Sequence, residues 1–360
     1  MLDFLTFFRL FLFFSLLSAE RFFCRELFQP AKTLFFCKVK TGVRQIMNTA
    51  FKLLIAATFA TTLVGCANMP DTVKDANAAA VSEDHFATTD IVGKDVTYHV
   101  VNPDPIFNAR PVLITKNGKG FLVDTQFSKA DGDNLVALAR AKGIDITTIY
   151  ISFSDPDFYF GLDQVVKAFP KAKVLATPAT IARIRASYPT KLEVWKDTLK
   201  ENTPDSMVLP EALQGNTINF EGDVFEVVGS DTKRPTLFNA KDKVLLGGPL
   251  VNGPEHLFMA DAKTLPNMQK WVDALEELKS FHPAFVLPAH SAEVKDFDPS
   301  NIQRNIDYIR AFMDVAKHAK TSEEIMKAMR AKFPNLADGS LEMSAQVVSG
   351  EMDWEPFDLP

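Results

Sequence analysis

The stretch from Val112 to Val123 limits what this 360-residue chain can fold into more than any other. Two short apolar runs, Val112-Leu-Ile-Thr115 and Gly120-Phe-Leu-Val123, flank Lys116-Asn117-Gly118-Lys119. An Asn-Gly pair accepts the positive φ that a tight hairpin turn requires, so the two runs are expected to pair as antiparallel strands. Strand and helix patterns alternate after this hairpin. Ser128 is placed to cap a helix reaching about Lys142, with Leu135, Ala137, Leu138 and Ala141 as its apolar residues. Residues 147–151 read as a short buried strand, 161–169 as an amphipathic helix, 173–176 as a strand, and Pro178 as the start of another helix. Strands return at 217–220, 223–228, 236–238 and 243–246, and helices follow at 268–280, 302–317 and 322–332 with a strand at 284–287 among them. This order predicts an α/β fold with helices packed over sheets.

The three cysteines, Cys24, Cys37 and Cys66, all precede the globular region. That region therefore has no disulfide and no thiolate metal site, and any metal must be held by His, Asp or Glu. The formal net charge of −6 argues against the broad basic surface of a nucleic-acid-binding protein. No Gly-rich phosphate loop, Gly-x-Ser-x-Gly elbow or Cys/His zinc spacing is present.

A second start is written at Met47. Lys52 supplies a charged n-region, 53–63 an apolar h-region, and Leu63-Val64-Gly65-Cys66 a small-residue box ending in cysteine. The arrangement resembles a bacterial lipoprotein signal, which implies acylation of Cys66 and attachment to a membrane without a spanning helix. Export to the bacterial cell envelope follows, at the outer membrane facing the periplasm, because Ala67 is not the Asp that favours inner-membrane retention. The expected organisation is an upstream extension or mis-assigned start over 1–46, a signal peptide over 47–65 and a polar tether over 66–92. The main domain then covers 93–297, and a helical extension packed on it covers 298–360.

Residues 149–163 read IYISFSDPDFYFGLD, a strand, a polar loop and a helix start. With Phe121-Leu-Val-Asp124-Thr, Asp231-Thr232, Leu246-Gly-Gly-Pro-Leu-Val251 and Val286-Leu-Pro-Ala-His290, this resembles the metallo-β-lactamase superfamily. The resemblance implies an αββα sandwich with additional C-terminal helices, and a His-x-His-x-Asp-His loop holding metal after a buried strand. Laid on this chain, that pattern puts Phe153 and Asp155 at the first two histidines, Asp157 at the aspartate and Phe158 at the last histidine. The later histidine falls on Arg234 and the bridging aspartate on Pro249, while the final histidine is kept as His290. Phenylalanine and proline offer no donor and arginine repels a cation, so a binuclear zinc site lacks its ligands.

Two readings remain open. In the first, Asp155, Asp157 and His290 hold one divalent metal (Zn, Mn or Fe), and they act as catalytic residues for hydrolysis of a small ester, lactone, amide or phosphoester. In the second, the chain is a non-catalytic lipoprotein that binds a ligand or partner, and Arg234 neutralises Asp155 or Asp157 in place of the metals. Phe153, Phe158, Tyr159, Arg234 and His256 are candidate pocket residues for a small molecule in either case. Each has a simpler role available, since Asp157 can cap a helix and His290 can be a hydrogen-bonded loop histidine. The oligomeric state is not readable from the sequence.

Overall fold

The computed structural model describes residues 87–354, all within a unit spanning 79–360. The expectations for the leader, the signal, Cys66 and most of the tether lie outside the described residues.

Among the described residues the strands form two sheets. The first runs in chain order through β1 (Thr88–Val92), β2 (Thr97–Val101), β3 (Val112–Lys116), β4 (Lys119–Val123), β5 (Asp145–Tyr150), β6 (Lys173–Ala176) and β7 (Glu211–Ala212). Strands β1 to β4 pair antiparallel, and β4 to β7 pair parallel. The second sheet is built from β8 (Thr217–Phe220), β9 (Asp223–Val228), β10 (Thr236–Asn239), β11 (Val244–Leu246) and β12 (Phe285–Leu287). It is antiparallel except where β12 lies parallel to β11. The helices are α1 (Lys129–Ala141), α2 (Pro156–Tyr159), α3 (Leu162–Ala168), α4 (Pro178–Leu199), α5 (Leu265–Lys279), α6 (Ser300–His318), α7 (Ser322–Lys332) and α8 (Leu341–Ser349).

Successive side chains of a strand face opposite sides, and here both sides are buried. Val112, Ile114, Phe121, Val123 and Tyr150 of the first sheet meet Phe220, Phe225, Leu237, Leu246 and Leu287 of the second in a core between the sheets. Their neighbours Leu113, Leu122 and Ile149 point the other way, against Leu135, Leu138, Val165, Ile184 and Tyr188 of α1, α3 and α4. On the far side Phe238, Leu245 and Val286 pack on Trp271, Leu275, Ile306, Phe312, Met329 and Ala345 of α5 to α8. The chain is therefore an αββα sandwich with additional helices at its C-terminal end. Strands covered on both faces read as nearly continuous apolar runs, which is how 112–115 and 120–123 appear in the sequence.

The hairpin forms as its turn residues require, with Asn117 at φ 52°, Gly118 at φ 74° and Lys116 opposite Lys119. Ser128 caps α1 in a reciprocal box with Asp131. Two elements differ from expectation. The end of the supposed tether is β1, paired along its whole length with β2 from Thr88 opposite Val101 to Val92 opposite Thr97. The loop after β5 contains the single turn α2. No helix among the described residues is long and apolar enough to cross a membrane.

One contact sets the distance between α1 and the loop that carries the candidate site. A Cβ added at Gly132 would strike the Gly161 carbonyl, and one at Gly161 would strike the Thr125 carbonyl and the Gly132 backbone. The Gly161 carbonyl is backbone, held where α2 passes into α3, and cannot step aside as a flexible side chain does. Gly132→Ala is expected to destabilise the domain by about 2 kcal/mol, the range of an overpacked core, measured as a lower urea midpoint at unchanged slope.

Candidate functional site

The ends of four strands deliver polar residues to one rim. After β4 comes Asp124, after β5 the loop 151–155, after β11 Gly247-Gly248, and after β12 His290. Asp124 ties three of these ends together. Its Oδ1 accepts the Ser152 backbone N–H at 2.7 Å and its Oδ2 accepts the Ser152 hydroxyl at 2.6 Å. The same hydroxyl oxygen accepts the Gly248 N–H at 2.8 Å. Burial pushes the Asp124 carboxyl up to about 7; the Ser152 bonds oppose this, Asp157 adds to it and His290 opposes it.

His290 is positioned by the loop between β2 and β3. Asp104 shapes that loop by accepting the backbone N–H groups of Ile106 at 2.9 Å, Phe107 at 2.8 Å and Ala109 at 2.6 Å. The loop is joined to the end of β12 by the Arg110 N–H, which donates to the Ala289 carbonyl at 2.7 Å. The Phe107 carbonyl then accepts Nδ1–H of His290 at 3.0 Å. Nε2 lies 3.0 Å from Oδ2 of Asp157, an ion-pair separation with the N–H directed off the line to the oxygen. A neutral ring with its proton on Nδ1 would turn a lone pair toward that carboxylate, so the geometry calls for the imidazolium. Burial alone would lower the His290 pKa, but the adjacent Asp157, with Glu255 and Asp104, outweighs it and raises the ring to about 9. The Phe158 ring is tilted 37° on the imidazole with centroids 5.3 Å apart, and Phe153, Phe158 and Ala289 form a small apolar cluster there.

Asp155 occupies the N-cap position of α2 without capping it through its side chain. Its carboxylate pairs with the ammonium of Lys191 on α4, which also donates to the Ser154 carbonyl at 3.3 Å. Arg234 does not reach Asp155 or Asp157, contrary to the expectation that it neutralises one of them. Its guanidinium pairs with Asp231 at 2.9 Å and lies 4.4 Å from the centroid of the Trp271 ring. Arg234 is three positions from Asp231, and the stack on Trp271 directs it toward the α5 side. The cations beside the two aspartates are Lys191 and His290.

The candidate pocket residues separate in the same way. Phe153 and Phe158 stand together beside His290. Tyr159 belongs to the outer helical layer, its ring 5.3 Å from Phe160 and 6.3 Å from Tyr188. His256 lies beneath the C-terminal helices, with Nδ1 3.0 Å from the Tyr308 hydroxyl, and burial lowers its pKa. Sequence reasoning missed Lys191, because nothing on a 22-residue helix marks one lysine 36 positions from its partner. It missed Asp104 as well, although an Asp four positions before Asn108-Ala109 carries a weak Asx-turn signal.

The metals that the resemblance implies do not fit this donor set. Among the described residues no three His, Cys, Asp or Glu side chains are arranged to hold a metal ion. Asp155 is engaged by Lys191, Nδ1 of His290 donates to the Phe107 carbonyl, and Nε2 faces Asp157 across an ion-pair distance of 3.0 Å.

No protein-family model matches the chain, and no curated protein matches it. Solved structures do. The crystal structure of the DIM-1 metallo-beta-lactamase is 16% identical with a TM-score of 0.42, over 62% of this chain and 97% of that one. The crystal structure of VMB-1 at pH 5.5 is 17% identical with a TM-score of 0.42, over 62% of this chain and 96% of that one. DIM-1 exposed to ceftazidime gives 16% identity and a TM-score of 0.43, over 62% and 96%.

A pH dependence follows from the raised His290 pKa. The unfolded imidazole titrates near 6.5, so the stabilisation from its pairing is complete below that pH and is lost as pH rises toward 9. Its size is roughly 3 kcal/mol at most. Asp124 acts in the same direction but earlier, as its folded-state carboxyl holds a proton up to about 7 that the unfolded one releases near 4. Urea midpoints of the wild type are expected to fall between pH 6.5 and 9, and His290→Gln to remove most of the fall in that window.

Proposed function

We propose that the chain is a metal-independent relative of the metallo-β-lactamase superfamily, anchored at the cell envelope by lipid on Cys66, that binds a small-molecule ligand or partner instead of hydrolysing a substrate. The observation that carries this reading is the pairing of both site aspartates with protein cations, Asp157 with His290 and Asp155 with Lys191. A cation already beside each carboxylate does electrostatically what a bound metal would do, and a second cation at the same place would be repelled. The apolar Phe153–Phe158 pair, with ring centroids 5.3 Å apart, fills space next to them. A hydrolase using Asp155, Asp157 and His290 on one metal would have to break both pairs and turn three side chains to a common point. Ser152 gives no nucleophile, since its hydroxyl donates to Asp124 and accepts from Gly248, and His290 is committed elsewhere.

Two measurements test this. Purified protein incubated with excess zinc, manganese or iron and then desalted is expected to carry well under one ion per chain by mass spectrometry. Near one ion per chain, lost in both Asp157→Ala and His290→Ala, would overturn the metal-independent reading. Fractionation of cells expressing the full chain is expected to find it with membranes, and Cys66→Ala to move it to the soluble fraction. An unchanged membrane fraction would remove the lipid anchor from the proposal.

A further inference from the structure

The loop between β2 and β3 holds apolar side chains out in solvent. Its tip reads Pro103-Asp104-Pro105-Ile106-Phe107, and the buried Asp104 carboxylate accepts the N–H groups of Ile106, Phe107 and Ala109. Ile106 is nevertheless 50% exposed, and Pro105 before it is exposed as well. A loose loop can fold an isoleucine back against the protein, whereas one tied by three hydrogen bonds to a buried carboxylate is kept in place.

Helix α4 continues this surface. Phe107 meets Trp195 of α4 edge to face with centroids 5.3 Å apart, and both rings rest on the buried ring of Phe127, at 4.8 and 5.2 Å. Phe107 and Trp195 are half-buried, and Val194, which precedes Trp195, is 62% exposed. Two exposed aliphatic side chains thus flank two aromatic rings on a firm base. Exposed apolar surface gathered in this way marks a place of association.

Two backbone contacts indicate what lies opposite. The Asn102 N–H, at the root of the same loop, donates to the Ala87 carbonyl at 3.1 Å, so the chain that carries Cys66 enters the domain beside the patch. The Phe107 carbonyl accepts Nδ1–H of His290, so patch, chain entry and candidate site share one end of the sandwich. Beside Val194, Glu193 and Lys196 pair with each other and offset their charges.

We propose that this patch is a membrane-docking face: Ile106, Val194 and the open edges of Phe107 and Trp195 enter the surface of a lipid bilayer and turn the candidate site toward it. The proposal rests on the lipid anchor at Cys66 only for bringing a membrane close. Apolar side chains leave water for the bilayer as they leave it for a core, and aromatic rings favour the headgroup level.

Tryptophan fluorescence of the full chain tests it, in phosphatidylcholine vesicles with or without bromine on the acyl chains. Bromine quenches an indole only at close range. The wild type is expected to be quenched and Trp195→Phe to lose the quenching, because Trp271 is buried in the core and Trp354 packs on Phe258. Ile106→Glu combined with Val194→Glu is expected to lose it too, at an unchanged melting temperature, since both positions are exposed. The quenching is expected to survive ~0.5 M salt, which screens charge but not apolar contact. Its absence in the wild type, its persistence in Trp195→Phe or in the double variant, or its loss in salt overturns the docking face. The anchor is read separately. Wild type that stays with vesicles unquenched overturns the face and leaves the anchor standing. Cys66→Ala that leaves the membranes of cells, yet is quenched when added to brominated vesicles, supports the face on its own.

Discussion

A carboxylate that leaves water needs a proton, a counter-ion or a set of N–H donors, and the rim of this sandwich gathers four that need one. Asp104 takes three backbone N–H groups from the loop it shapes. Asp124 takes the N–H and hydroxyl of Ser152, and its pKa rises. Glu255 accepts from the Asn108 amide at 3.0 Å, and Asp157 stands against the His290 ring. The charge of that ring acts on Asp124 and Glu255 as well. The loop conformations follow from these demands, with the Ser291 N–H on the Asn108 carbonyl and Ala109 bridged to His290. Removing the imidazolium would leave several acids without their shared counter-ion, so the ring holds the rim together more than any single hydrogen bond does.

The apolar and the charged features of the rim are one arrangement. Phe158 is in ring contact with His290 and edge-on to Phe153, and Ala289 completes that cluster. A wall of this kind lowers the local polarity, which strengthens the attraction between His290 and Asp157 and makes either charge more costly alone. The loop between β11 and α5 is fixed from the other side. The Trp271 indole donates to the Leu250 carbonyl at 2.9 Å, Asn305 exchanges bonds with the Asn252 backbone, and the Met259 N–H donates to the Ser344 hydroxyl. Helices α5, α6 and α8 thus hold this segment by buried polar bonds.

Much of the framework was legible because its signals are local. Asn117-Gly118 dictates a turn, Ser128 a cap, and the runs 112–115 and 120–123 their burial on both faces. Strand β1 was not legible, since five residues reading TTDIV carry too little alternation to stand out from the polar stretch before them. Within the site, sequence placed Asp155, Asp157 and His290 on the right strand ends but not their partners. Phe158 and Tyr159 are adjacent on α2, yet successive helical residues point about 100° apart, so one faces His290 and the other the helical layer. Arg234 looked like a countercharge because of its position in the superfamily pattern. An aspartate three residues away and a tryptophan ring were simply nearer.

The parallel pairing of β11 with β12 has a consequence for how the molecule comes to exist. His290 follows a strand whose partner lies about 40 residues earlier, and its other contacts, Phe107 and Asp157, are 183 and 133 positions away. Closing loops of that length precedes any reward from the contacts they bring together, so the rim is assembled after the sheets and not as their seed. While the chain is still incomplete its acids remain hydrated and separate, and their mutual repulsion is spread over a large volume. The difficulty they pose arises only in the last stage of compaction, when the histidine arrives with them. Changes at the rim would then alter how long the finished molecule lasts more than how quickly it is made.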